Sequence, residues 1–158
     1  MNSKALLGIF MILAIGITAG YGIAAVVLTR PITSTVTIEP AYGLTVSIAT
    51  MSMGTLHHED IWESPAFDIT NNGEAAYQVS WSISDCTPGT VNAMRSDLNY
   101  KTWVNVGTGW QEWQDGSGNP IPQDLAVGET IQAQIRCTVA LTAAFNSWSF
   151  KLNILAST

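Results

Sequence analysis

The first thirty residues contain a long stretch without charge. No charged residue lies between Lys4 and Arg30, and the segment between them reads ALLGIFMILAIGITAGYGIAAVVLT. At a rise of about 1.5 Å per residue, a helix from Ala5 to Leu28 would be roughly 35 Å long, enough to cross a hydrocarbon core of about 30 Å with some tilt. The sequence therefore predicts one long hydrophobic helix over residues 1–30.

Three interpretations of this segment remain open. One is a cleaved secretory signal, although such signals usually contain about 7–15 apolar residues. Another is a permanent membrane anchor, with Lys4 on the cytoplasmic side and the remainder of the chain outside. The third is a filament-core helix behind a short leader at residues 1–5.

The third interpretation depends on a resemblance. A short positive head, MNSK, precedes Ala5 and the Leu6-Leu7 pair that opens the apolar run. This resembles the leader of archaeal type IV pilins, and the resemblance implies a helix that packs in a filament core after cleavage. Small residues let helices approach closely, and we expect the assembly contacts at four glycines, Gly8, Gly16, Gly20 and Gly22.

The chain changes character after residue 30. Residues 31–158 contain four basic and twelve acidic residues, a formal charge of about −8, so nucleic acid is excluded as a partner. Charged residues make up 11% of the chain, against about 25% in an average soluble domain. A surface hydrated by Ser, Thr, Asn, Gln and Gly is typical of secreted or assembled proteins, and the length suits one domain. We expect an extracellular or cell-surface location, with membrane insertion before assembly.

Two cysteines, Cys86 and Cys137, fit an oxidising compartment. We expect a disulfide between them, which would close a loop of about 50 residues and stabilise the fold by about 4 kcal/mol. Two buried free thiols are the alternative.

The outer part has the periodicity of strands. Ile32, Val36 and Ile38 alternate with threonines, and further alternating runs are separated by turn signals such as Asn71-Asn72-Gly73. No helix is predicted after residue 30. The predicted fold class is mainly β, an immunoglobulin-like antiparallel β-sandwich at residues 31–158 preceded by the long N-terminal hydrophobic helix.

The order of motifs in this part is similar to immunoglobulin-like sandwiches of archaeal cell surfaces. The similarity comprises Gly54-Thr55-Leu56, Phe67 to Gly73, Val79 to Ser82, Leu125 to Thr130 and Ser149 to Ile154. Together with the apolar N-terminus, it resembles archaeal pilins, including bundling pilins that assemble by strand donation. The resemblance implies filament assembly from copies of this chain.

Catalytic and metal-binding signals are few. The richest cluster places His57 and His58 near Met51, Met53 and Glu59-Asp60, a combination that would suit copper. Adjacent histidines on a strand point to opposite faces, so a polar loop without metal is favoured. The sequence contains no nucleophile elbow, P-loop or dinucleotide motif, and we expect solvated carboxylates at Asp60/Glu63 and Glu112/Asp115. We therefore predict a non-enzyme without a cofactor.

Six tryptophans are the last chemical feature. We expect Trp81 and Trp148, each in an alternating strand, to lie in the core. Trp103, Trp110 and Trp113 crowd one irregular segment, and we predict that they form a surface cluster away from the core. Such a cluster covers a hairpin, contacts a protein partner or stacks on a glycan.

The sequence thus predicts a structural subunit of an extracellular pilus-like filament, with the helix in its core and the sandwich outside. The chief partner is then the chain itself, after contact with the membrane through the N-terminal helix. The alternative is a single-pass membrane-anchored module for adhesion or glycan binding.

Overall fold

The computed structural model describes residues 32–144 and 147–158. Within them the chain forms strands and one helix in the order β1 (Ile32–Pro40), β2 (Leu44–Val46), β3 (Thr50–Leu56), β4 (Ile61–Glu63), β5 (Phe67–Asn71), β6 (Tyr77–Thr87), α1 (Val91–Leu98), β7 (Lys101–Asn105), β8 (Trp110–Glu112), β9 (Gln123–Leu125), β10 (Thr130–Thr138) and β11 (Ser147–Ser157).

The strands build two sheets that share one hydrophobic core. The first sheet has the order β3-β1-β11-β6-β9, and the second has the order β2-β5-β10-β7-β8, with β4 paired to the end of β10. Alternate residues of β1, β10 and β11 are buried, because successive side chains of a strand point to opposite faces. The predicted alternation in β1 is confirmed, with Ile32, Val36 and Ile38 in the core.

β1 lies inside the first sheet. It pairs with β3 in antiparallel fashion and with β11 in parallel, from Thr33 opposite Ser147 to Pro40 opposite Ile154. The predicted sandwich was antiparallel throughout, and this is wrong for the β1–β11 pair. Parallel neighbours need a long connection, and here the strands from β2 to β10 lie within it. Local alternation does not reveal a pairing between residues so far apart in the chain.

The prediction that no helix follows residue 30 was also wrong, because α1 follows β6. The Thr90 side chain caps its first turn by accepting a hydrogen bond from the Ala93 N–H, and Asn99 ends it in the left-handed conformation. Met94 and Leu98, four residues apart, are both fully buried and fix the helix on the core.

The long hydrophobic helix of the predicted fold class does not occur in the described residues. There α1, with eight residues, is the sole helix, and no helix in this part of the chain is long and apolar enough to cross a membrane. The predicted helix at residues 1–30, with Gly8, Gly16, Gly20 and Gly22, lies outside the described residues. The fold class is thus corrected to a mainly β, two-sheet domain with a short helix, in the part that the structure describes.

Asp97 of α1 has a buried carboxyl group that ties the helix to the first sheet. One of its carboxylate oxygens accepts a hydrogen bond from Trp148 Nε1 at 3.1 Å, and the other accepts from the Ala144 N–H at 3.1 Å. Its backbone carbonyl accepts from the Ala140 N–H at 2.7 Å. Asp97 therefore holds both the loop before β11 and the core tryptophan of β11.

We predict that Asp97→Ala lowers the free energy of unfolding by about 2–3 kcal/mol, because buried donors lose their acceptor. Asp97→Asn keeps one acceptor oxygen and serves as the matched control, with a smaller loss. Urea unfolding of the full-length variants measures both values, and a change below about 0.5 kcal/mol for Asp97→Ala contradicts this role.

Candidate functional site

The chain from α1 to β8 positions a group of charged side chains at one end of the second sheet. Arg95 lies in the last turn of α1, and Lys101 begins β7 two residues after the left-handed Asn99. β7 pairs with β8, so Lys101 lies close to Glu112, and the Lys101 Nζ to Glu112 Oε1 distance is 3.0 Å.

A tight turn at residues 115–119 closes the other side of this group. One carboxylate oxygen of Asp115 accepts hydrogen bonds from the Ser117 and Asn119 N–H groups, both at 2.8 Å, and the other accepts from the Asn119 amide. These hydrogen bonds, chiefly those from Asn119, lower the pKa of Asp115. Gly118 has a φ of +80°, a conformation that glycine adopts without steric cost.

The Arg95 guanidinium bridges the helix and this turn. Its Nε donates to the Tyr100 hydroxyl at 3.0 Å, and Nη2 donates to the Gly118 carbonyl at 3.2 Å. The guanidinium carbon also lies 5.5 Å from the centroid of the Tyr100 ring, a cation–π contact. The Arg95 side chain is thus held in one orientation although it is exposed to solvent.

Tyr100 anchors the arrangement to the core. It is buried and packs edge-on against Trp81, with ring centroids 5.9 Å apart, and in stacked fashion on Phe150. Burial raises the pKa of the Tyr100 hydroxyl, although the hydrogen bond from Arg95 opposes this. Tyr100 therefore keeps its proton at neutral pH and accepts from Arg95 as a neutral phenol.

Two neighbouring cavities lie among these side chains. The Arg95 cavity, of about 310 Å³, is lined by Arg95, Asn99, Tyr100, Lys101, Glu112, Gln114 and residues 115–118. The Trp103 cavity, of about 300 Å³, is lined by Ile61, Asn99, Lys101, Trp103, Arg136 and Thr138. Because Asn99 and Lys101 line both, the two cavities lie side by side, and together they are named the groove.

The predicted surface cluster of three tryptophans is wrong for Trp113. Its ring is fully buried in the core, and the Trp113 carbonyl accepts a hydrogen bond from Trp81 Nε1 at 2.9 Å. Trp110 is 43% exposed and Trp103 is half-buried, so these two remain at the surface of the β7–β8 hairpin. The core positions predicted for Trp81 and Trp148 are confirmed.

The histidines lie in the turn between β3 and β4. The Asp60 carboxylate accepts a hydrogen bond from the His57 N–H at 2.8 Å, and His58 Nδ1 lies 2.9 Å from the Ala140 carbonyl oxygen. Met51 and Met53 are buried in the core, away from the polar turn. In the described ranges, no group of three or more His, Cys, Asp or Glu side chains is arranged to hold a metal ion.

In each of the two carboxylate pairs singled out in the sequence, Asp60/Glu63 and Glu112/Asp115, the glutamate forms an ion pair with a basic residue. Glu63 Oε1 lies 3.1 Å from Arg136 Nε, while Glu112 pairs with Lys101. Asp60 and Asp115 instead accept hydrogen bonds within their own turns. The members of each pair thus have different partners, although Glu112 and Asp115 both line one cavity.

The predicted disulfide is wrong, because Cys86 and Cys137 are free thiols. Cys137 of β10 is fully buried, and burial raises its pKa to about 12. Cys86 of β6 is half-buried, and its pKa is raised by burial and by the charge of Asp85. The two side chains occupy different environments on different sheets, which the count of cysteines does not reveal.

No family model matches the chain, and no curated protein matches it in sequence. Among solved structures it is similar to one described as "AvmM Catalyzes Macrocyclization in Alchivemycin A Biosynthesis", with 11% sequence identity and a TM-score of 0.30. The alignment covers 80% of this chain and 88% of that one. A likeness this low does not indicate a function.

We predict that the two thiols differ in reactivity, because the thiolate is the nucleophile. Iodoacetamide at mildly alkaline pH should label the native protein slowly at Cys86 and leave Cys137 unlabelled, whereas both react in urea. Mass spectrometry counts the labels, with Cys86→Ser and Cys137→Ser as controls. Labelling in urea that requires prior reduction would instead show a disulfide.

Proposed function

We propose that this domain is a load-bearing structural subunit of an extracellular, pilus-like filament built from copies of the same chain. The observation that carries the proposal is the parallel pairing of β1 with β11. β1 begins at Ile32, so force applied through the preceding residues enters the domain directly through an interior strand.

The parallel pairing determines how such a force acts. The start of β1 lies beside the start of β11, with Thr33 opposite Ser147, whereas Pro40 lies opposite Ile154 near the end of β11. Pulling on residue 32 against residue 158 therefore slides the two strands along each other. The ladder of eight paired positions must then break together rather than one pair at a time, which favours resistance to load.

Core packing strengthens the same pair. Val36 lies opposite Phe150 and Ile38 opposite Leu152, and all four side chains are no more than 3% exposed. Sliding the strands would pull these side chains out of the core, at about 1.5–3 kcal/mol for each fully exposed side chain. Hydrogen bonds and burial thus oppose the same displacement.

The outer face of the first sheet suits an assembled protein. Thr33 and Thr35 of β1 lie opposite Ser147 and Ser149 of β11, and all four are exposed. Lys151 of β11 bridges two carboxylates, those of Glu39 at 2.8 Å and Asp85 at 3.1 Å. Its hydrogen bonds to these carboxylates, first that to Glu39, raise the pKa of Lys151. This hydroxyl-rich face lets copies of an acidic domain approach with little repulsion.

The location is tested on the cells that make the protein. We expect antibodies raised against the full-length chain to label filaments along their length in immunogold electron microscopy, and mass spectrometry to find the chain in purified filaments. Labelling confined to the cell envelope, with filaments free of the chain, would contradict the proposal and favour an anchored adhesion module.

Load bearing is tested by force spectroscopy on the full-length chain. Pulling between residues 32 and 158 shears the β1–β11 pair, whereas pulling between residues 32 and 147 peels it from one end. We expect a clearly higher unfolding force in the first geometry, because hydrogen bonds that share a load break together. Equal forces in the two geometries would show that the β1–β11 pair does not carry the load.

A further inference from the structure

We propose that the groove formed by the Arg95 and Trp103 cavities binds a short acidic oligosaccharide, with a uronic acid carboxylate on Arg95. This role is additional to the structural one and does not depend on filament assembly.

The free edge of Arg95 matches a carboxylate. A guanidinium has five N–H donors, and the edge formed by Nε and Nη2 is occupied by the Tyr100 hydroxyl and the Gly118 carbonyl. The opposite edge keeps one N–H on each Nη for a ligand. Two parallel N–H groups in one plane are the geometry that binds a carboxylate in bidentate fashion.

Arg95 also differs from the other cations of the domain in its partners. In the described residues, Lys101, Arg136 and Lys151 each form an ion pair with a carboxylate, whereas Arg95 has no carboxylate within ion-pair distance. Neutral groups hold this cation in place at the wall of a cavity, where it is available to bind the anionic group of a ligand.

Groups that suit sugar hydroxyls surround this cation. Gln114 accepts hydrogen bonds from Thr102 through Oε1, so its amide N–H groups remain for a ligand. Glu112 offers carboxylate oxygens as acceptors, and Asn99 and Ser117 add an amide and a hydroxyl to the same cavity. This mixture of one cation with donors and acceptors favours a hydroxylated acid over a simple anion or an apolar ligand.

The second cavity supplies an aromatic surface. Trp103 is half-buried on the outer face of β7, and its cavity shares Asn99 and Lys101 with the Arg95 cavity. An indole ring offers a flat amphipathic surface, on which a neighbouring sugar ring can pack while its acidic partner occupies Arg95. A ligand that occupied both cavities would therefore contain at least two linked sugar units.

The charge distribution limits the ligand to a short one. Three of the four basic residues after residue 30 line this groove, in a part of the chain with twelve acidic residues. The surrounding negative charge repels a long polyanion, so recognition requires close contact with Arg95 rather than long-range attraction.

The test uses the full-length chain and isothermal titration calorimetry. The probes are trigalacturonic acid and its fully methyl-esterified form, which has the same rings and hydroxyls without the charge. We expect the acid to bind at least about tenfold more tightly than the ester, because the ester forms no charge-assisted pair with Arg95. This comparison needs no variant and is independent of folding defects.

Variants then assign the binding to Arg95. Arg95→Gln should abolish measurable binding of the acid, and Arg95→Lys, which keeps the charge but loses the planar fork, should weaken it about tenfold. Lys151→Gln removes the same charge from the other sheet and should leave the affinity unchanged. Thermal unfolding of each variant checks that the fold is retained.

Three results would overturn the inference: no binding of the acid, equal affinity for acid and ester, or unchanged affinity in a folded Arg95→Gln variant. A fourth result would show that the groove binds a different occupant. If sedimentation shows that Arg95→Gln disperses an oligomer of the full-length chain, and the acid does not bind, the groove holds a carboxylate of a second copy instead of a sugar.

Discussion

The parallel pairing of β1 with β11 is the constraint on which the first sheet depends. It brings the first and last described strands together in the sheet interior, and Val36 and Phe150 meet there in the core. Without this pair, β1 and β3 would be disconnected from the rest of the first sheet and β11 would become an edge strand. Unpaired strand edges expose backbone donors and acceptors, so the pairing completes the sheet and provides the path for force that the proposed function requires.

A second constraint acts where α1 joins the core. Asp97 and Tyr100 are both buried, one holding Trp148 and the other packing on Trp81 and Phe150. Asp97 lies two residues after Arg95, and Tyr100 accepts a hydrogen bond from Arg95. Because core contacts hold Asp97 and Tyr100, Arg95 is presented to the 115–119 turn in one orientation. The candidate ligand site is therefore a consequence of core packing, since buried residues hold the side chain that would contact the ligand.

The proposed structural role and the proposed ligand site use different parts of the domain. The load path runs through β1 and β11 of the first sheet, whereas the groove lies at one end of the second sheet, between α1, β7 and β10. A surface subunit with both features could hold a neighbour along one sheet and an acidic glycan on the other. The low charge and exposed hydroxyls of the first sheet fit contact between copies of an otherwise acidic chain.

By itself, the sequence determined the mainly β character, the inward face of β1 and the core positions of Trp81 and Trp148, because alternation with a period of two is a local property of a strand. Tertiary structure alone decided the parallel partner of β1, the burial of Trp113, the free state of the two thiols and the position of Arg95 at a cavity. Each of these depends on contacts between residues far apart in the chain, such as Arg95 with Gly118 or Val36 with Phe150, and local patterns contain no information about such contacts.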